Sequence, residues 1–213
     1  QNYHAIRRRL GSDVDFMSVV KSFGYGNDST RISQTLAREG VDALAVAYPD
    51  EGIPLRERGL GLPILVMNVL PDEADKVVKY DLTALAYTEE VVDALDDEAS
   101  RRGRTVSLHL KLDTGMNRVG LQPDQLLPFA RRVDERPGVE LDGVMTHFAV
   151  ADVPEQDAFT NDQIATFRRR LGELGEAGID PGSVHAANTA AAWRFPEAHF
   201  DMVRVGLGLY GLS

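Results

Sequence analysis

The chain has 213 residues, 43% of them hydrophobic, which is enough to bury one sizeable core and close to the usual size of a single domain. A formal charge of -10 argues against a general nucleic-acid binder, because phosphate backbones are held mainly by clustered Lys and Arg. The absence of cysteine excludes a disulfide framework, a thiolate zinc site and cysteine nucleophile chemistry. Apolar runs such as Pro63 to Val69 are too short to cross a bilayer and no charged leader opens the sequence, so the expectation is a soluble, cytoplasmic protein.

The sequence begins without Met in a helix-like stretch, Tyr3 to Leu10, and stops at Ser213 after an apolar, Gly-rich segment, as a piece cut from a longer chain would. Phe16 to Lys21 is the first predicted strand, followed by a turn with Gly24 and Gly26 and a helix over Arg31 to Arg38 behind Ser29 or Thr30. Ala43 to Ala47 leads through Asp50 to a helix over Glu51 to Arg58, and Pro63 to Met67 leads through Pro71 and Asp72 to one over Glu73 to Lys79. Thr83 to Ala86 precedes a helix over Glu89 to Arg102, with Thr88 before it, carboxylates in its first turn and arginines in its last. Val106 to Leu112 is followed by Pro123, Asp124 and a helix over Gln125 to Glu135; Leu141 to His147 by Thr160 and a helix over Asn161 to Ala177. Ser183 to Ala187 runs into the helix-like AAAWRF, and Met202 to Val205 is the eighth strand.

Strict alternation of strand and helix predicts parallel strands with helical crossovers, and near-continuous apolar strands such as ILVM fit burial on both faces. Eight strands favour an α/β fold of the closed (β/α)8 barrel type, nearly complete, over a doubly wound open sheet, which periodicity alone leaves as the alternative.

In such a barrel the chemistry sits where strands end, and the unusual residues of this chain fall there. Lys21 ends the first strand after two valines, with Tyr25 between Gly24 and Gly26. The fifth strand carries Lys111 and Asp113 in alternation with leucines and then presents Arg118; a lysine inside a barrel needs a carboxylate partner or a modification that removes its charge. His147 follows the apolar run of the sixth strand, and Asn188 and Thr189 stand where the seventh enters a helix, as caps or as phosphate ligands. Arg204 lies between valines in the eighth, with Gly206 and Gly208 permitting close backbone approach. A strand-end lysine, hydroxyl and N–H donors after strands seven and eight, and two arginines at the mouth describe a site for an anionic aldehyde cofactor, and pyridoxal phosphate meets that description. No metal site is read.

The ordered motifs VVKSFGYG, HLKLDTGMNRVGL, GVMTHFAVAD, HAANTAAAWRFP and FDMVRVGLGLYG resemble the N-terminal barrel of the alanine racemase family of pyridoxal-phosphate enzymes, and the resemblance covers residues 1–213. Phe23 and Asn27 in the first motif are similar to the racemase part of fused muramoyl-peptide ligase/alanine racemases.

The resemblance implies that Lys21 is both the cofactor-linking lysine and one of two acid/base groups, and that Tyr25, Thr189, Gly206 and Leu207 contact the phosphate. It implies that Arg204 faces the pyridine nitrogen, that His147 orients Arg204, that Asn188 is a neighbouring polar contact, and that Arg118 sits near the cofactor phenolate and substrate carboxylate. Lys111 falls where many members carry a carbamylated lysine. The implied activity is racemisation of L- and D-alanine, an isomerase reaction supplying D-alanine for cell-wall peptidoglycan. The second base would come from a C-terminal β-domain absent from these residues, across a homodimer, so these 213 residues alone are expected to be weak or inactive. The rival reading within the same fold is a single-domain pyridoxal-phosphate homeostasis protein without turnover.

Overall fold

A computed structural model of the chain describes residues 1–211; the chain end at Ser213 lies outside the described residues. Eight parallel strands close into one barrel in the order β1 to β8. They are β1 (Asp15–Val19), β2 (Ala43–Val46), β3 (Ile64–Val66), β4 (Thr83–Ala86), β5 (Val106–Lys111), β6 (Val139–Met145), β7 (Ser183–His185) and β8 (Met202–Val205). Closure is made by β1 against β8, with Met17 opposite Arg204, and it removes the open sheet as an alternative.

The helices are α1 (Asn2–Arg7), α2 (Lys21–Gly26), α3 (Ser29–Glu39), α4 (Pro49–Glu57), α5 (Ala74–Lys79), α6 (Glu89–Arg102), α7 (Leu126–Asp134), α8 (Asp157–Glu176) and α9 (Thr189–Arg194). Side-chain caps start α3 and α9, and charge bias or a stopping glycine marks others. α6 spans its predicted range, with Glu89 and Glu90 at its positive end, Arg101 and Arg102 at its negative end and Gly103 at φ 63° stopping it. α3 is capped by Asp28 rather than Ser29 or Thr30, because the Asp28 carboxylate accepts from the N–H groups of Thr30 and Arg31 at 3.1 and 3.2 Å.

Two strands differ from their predicted ranges in ways that matter for the site. β6 begins and ends two residues earlier than expected, since Val139 pairs with Val106 while Glu140 and Asp142 face outward at the barrel's N-terminal end. His147 therefore lies beyond the strand, in the loop above it. β1 stops at Val19, so Lys21 opens the following turn.

Side chains alternate between the helical shell and the barrel interior. The interior is chemically divided. From β1 to β4 it is filled by Met17, Val19, Ala43, Ala45, Leu65 and Leu85. From β5 to β8 the same layers hold His109, Lys111, His185 and Arg204 beside Met145 and Met202, all of them buried. At the N-terminal end, Asp42, Asp96 and Asp201 accept from the N–H groups of Phe16, Gly138 and Val184, tying the loops to the strand starts. The opposite end carries the chemistry.

Candidate active site

Lys21 is delivered to the mouth by a turn of unusual hand. Ser22, Phe23, Gly24 and Tyr25 all have φ between 53° and 62°, a single left-handed turn in α2. Non-glycine residues there cost about 1–2 kcal/mol each, and such conformations persist only where surrounding contacts impose them. Glu51, in the first turn of α4, supplies one such contact: its carboxylate accepts from Ser22 N–H at 2.7 Å and from Ala47 N–H at 2.6 Å, clamping the turn to the end of β2.

The left-handed turn carries Tyr25 across to the end of β8. A Cβ on Gly206 would stand 2.5 Å from the Tyr25 hydroxyl, so any larger residue there must displace the tyrosine. The Thr189 hydroxyl oxygen accepts from the N–H groups of Gly206 and Gly208 at 3.2 and 3.4 Å, and a Cβ on Gly208 would stand 2.7 Å from the Thr189 methyl. The Asn188 side chain caps α9 by accepting from Ala191 N–H at 3.0 Å. The Thr189 and Tyr25 hydroxyls and the Gly206–Gly208 backbone thus form a cradle in which both glycine N–H groups donate to the threonine oxygen and leave its own O–H to donate outward. Leu207 projects from it, about half exposed.

Arg204 forms the floor. It is buried and bonded through both terminal nitrogens: to His185 Nδ1 at 3.0 Å, to the carbonyls of Thr146 and Ala186 at 2.9 and 3.0 Å, and to His147 Nδ1 at 3.2 Å. Burial pushes Arg204 down to about 9, which leaves it protonated at neutral pH. Burial, then the charges of Arg204, Lys111, Arg118 and Lys21, hold His147 down to about 3, so its imidazole is neutral.

All four charges act on His147, and among the described residues none of the four cations has a carboxylate within 4.0 Å. The carboxylate nearest in sequence, Asp113, is committed to its own loop, accepting from the N–H groups of Gly115 and Asn117 at 2.9 and 3.1 Å. Four cations gathered in a chain of charge -10, with Asp113 alone acting against them at Lys111, suit the binding of an anion. The donor set suits pyridoxal phosphate: an amine for the aldehyde, a hydroxyl and N–H cradle for the phosphate, and a permanent cation for the ring nitrogen.

Residues 1–213 match the family model for the alanine racemase N-terminal domain. The chain belongs to the alanine racemase family. It is 38% identical to the alanine racemase of Treponema denticola, covering 100% of this chain and 57% of that protein. The alanine racemase of Symbiobacterium thermophilum is 39% identical over 96% of this chain and 54% of its own length. Among solved structures, alanine racemase from Bacillus anthracis with bound L-Ala-P superposes with a TM-score of 0.92 at 36% identity, over 100% of this chain and 55% of that one. Alanine racemase from Clostridium difficile gives 0.95 at 31% identity, over 98% and 58%. The chain therefore spans a little over half the length of these relatives.

Several residues around this candidate site escape local sequence reading. His185 and His109, bonded to each other at 2.8 Å, join β7 to β5 across the barrel interior. The His109-x-Lys111 spacing in a buried strand is the signal that could have placed both side chains inside. Tyr210 stacks on Tyr25 at 4.7 Å between ring centres and donates to the Val19 carbonyl at 3.3 Å. Glu51 reads as an ordinary first-turn carboxylate.

Burial, then Arg118 and Arg204, push Lys111 down from its ordinary 10.5 to about 8, with Asp113 opposing. Below pH 8 the folded chain bears the cost of a buried ammonium; as pH rises from 8 to 10.5 the unfolded chain binds more protons at this site, and stability rises. Lys111→Met is accordingly expected to stabilise the barrel by about 2 kcal/mol at pH 7 in carbonate-free buffer. The advantage should fade across that pH interval, as read by denaturant unfolding of both proteins.

Proposed function

We propose that this barrel holds pyridoxal phosphate on Lys21 and serves the interconversion of L- and D-alanine, supplying D-alanine for cell-wall peptidoglycan in the cytoplasm. The observation that carries the reading is the cluster of Lys21, Lys111, Arg118 and Arg204 around His147, together with the Thr189–Gly206 cradle. When bound, the cofactor withdraws electrons from the amino acid and makes its Cα proton labile.

The residues divide the remaining work. The Lys21 amine would hold the cofactor and would serve as the group that removes or returns the Cα proton on its own face. Tyr25, Thr189 and the N–H groups of Gly206 and Leu207 hold the phosphate, and Asn188 fixes the start of α9 beside them. Arg204, always a donor, keeps the pyridine nitrogen unprotonated and limits delocalisation into the ring, which favours proton exchange over transamination. His147 steadies the guanidinium, and Arg118 offers its fork to the phenolate and the substrate carboxylate. Lys111, with a neutral fraction at physiological pH, suits carbamylation, since only the neutral amine attacks carbon dioxide. The resulting anion would position Arg118.

Racemisation needs a second group on the opposite face. Burial pushes the Tyr25 phenol up and Tyr210 to about 12, so neither gives up its proton near neutral pH. We assign that role to a tyrosine of a C-terminal β-domain supplied across a homodimer. In support, Phe23, Tyr48, Leu70, Phe159 and Leu207 ring the mouth with exposed apolar surface of the kind a covering partner buries.

Two measurements test the reading. Titration with pyridoxal phosphate should produce a saturable visible chromophore, and Gly206→Ala, whose methyl displaces the Tyr25 hydroxyl, should weaken it by about tenfold or more. Alanine racemisation by the 213-residue chain alone should be slow or undetectable; turnover that needs no added partner sequence would remove the two-body arrangement.

A further inference from the structure

Proton positions along the polar half of the barrel interior follow from donor and acceptor chemistry. Arginine offers only donors, so His185 Nδ1, 3.0 Å from Arg204 Nη1, is an acceptor. A neutral imidazole with a bare Nδ1 carries its proton on Nε2. That Nε2–H points at His109 Nδ1, 2.8 Å away, which must therefore be bare as well. The His109 proton is then on Nε2, 4.0 Å from the carboxylate of Asp142 at the N-terminal end of the barrel. Arg204, His185 and Asp142 are the ionisable groups facing His109, and burial together with Arg204 holds both imidazoles neutral, His109 down to about 4 and His185 well below its ordinary value.

The sheet makes room for this ring. The β5–β6 register shifts between Leu108 and His109, and a Cβ on Gly143 of β6 would stand 2.5 Å from the His109 imidazole. An irregular strand and an obligatory glycine are concessions that a space-filling apolar side chain would not require.

We propose that His109 is a positioning residue: by accepting from His185 Nε2–H it fixes the His185 tautomer, keeps Nδ1 open to Arg204, and so sets the guanidinium in the barrel mouth. The inference rests on the reading of Arg204 as the group that faces the cofactor ring, and it extends that site through the barrel to Asp142.

The test uses protein labelled with 15N-histidine and no cofactor. Both His185 and His109 are expected as Nε2–H tautomers, with a scalar coupling between His185 Nε2 and His109 Nδ1 across their hydrogen bond. His109→Phe keeps a ring beside Gly143 but offers no acceptor, so the coupling and the single His185 tautomer should both be lost. His109→Asn places an amide oxygen within reach and should restore the Nε2–H form of His185. An Nδ1–H tautomer at His185 in the parent protein, or a His185 signal unchanged in His109→Phe, would overturn the proposal. Should His109→Phe not fold, the parent spectrum and His109→Asn decide it. Failure of cofactor binding would refute the proposed function and leave these signals in place, so the two are separable.

Discussion

Arg204→Ala is expected to lower the stability of the barrel by about 3–5 kcal/mol, because it strips donors from four acceptors, three of them buried. His185 Nδ1, His147 Nδ1 and the carbonyls of Thr146 and Ala186 all lose the partner they share. For a domain of this length that corresponds to a fall in Tm of roughly 10 °C. The substitution carries an electrostatic signature beyond packing. Arg204 is one of the charges that hold Lys111, His147, His109 and His185 low, so all four should titrate higher in the variant. Histidine NMR titration reads that shift directly. Arg204→Lys should recover part of the charge effect but little of the stability, since an ammonium cannot satisfy four acceptors laid out for a planar fork. A variant that melts with the parent and leaves His147 titrating at about 3 would contradict the role of Arg204 as the hub.

Lys21→Ala should behave in the opposite manner, removing chemistry while sparing the fold. Lys21 is only partly buried and makes no ion pair among the described residues, so its loss should change stability by no more than about 0.5 kcal/mol. Relief of repulsion within the cation cluster acts in the stabilising direction. The visible chromophore formed with pyridoxal phosphate should disappear. Racemisation by the complete protein should fall by at least about 10³-fold, because the cofactor anchor and one of the two proton-transfer groups go together. Cofactor titration and racemisation, each paired with a melting curve, separate this outcome from simple unfolding.

The barrel was legible in the sequence because its signals are local and repeated. Most strands are short apolar runs, α4, α5, α6 and α8 carry carboxylates in their first turns, and α6 adds arginines in its last turn and a stopping glycine over the range expected for it. The candidate site was legible where a polar residue interrupts an apolar strand end, as at Lys21, Lys111 and Arg204. The left-handed turn was not, since Ser22, Phe23 and Tyr25 are residues that local sterics keep out of positive φ. Glu51, Gly206 and Tyr210, all distant in sequence, supply contacts that hold that turn. The β6 boundary was missed because its first residues alternate toward solvent and resemble a loop. The His109–His185 pair was missed for a different reason: it links strands that are not neighbours, and closing the barrel is what brings the rings together.

The central claim is that Lys21, and not the more deeply buried Lys111, carries the cofactor. Borohydride reduction of the protein with pyridoxal phosphate, followed by peptide mass spectrometry, decides it. A reduced phosphopyridoxyl group confined to the peptide containing Lys21 is the expected result. Label on Lys111, or no site-specific label at all, would contradict it.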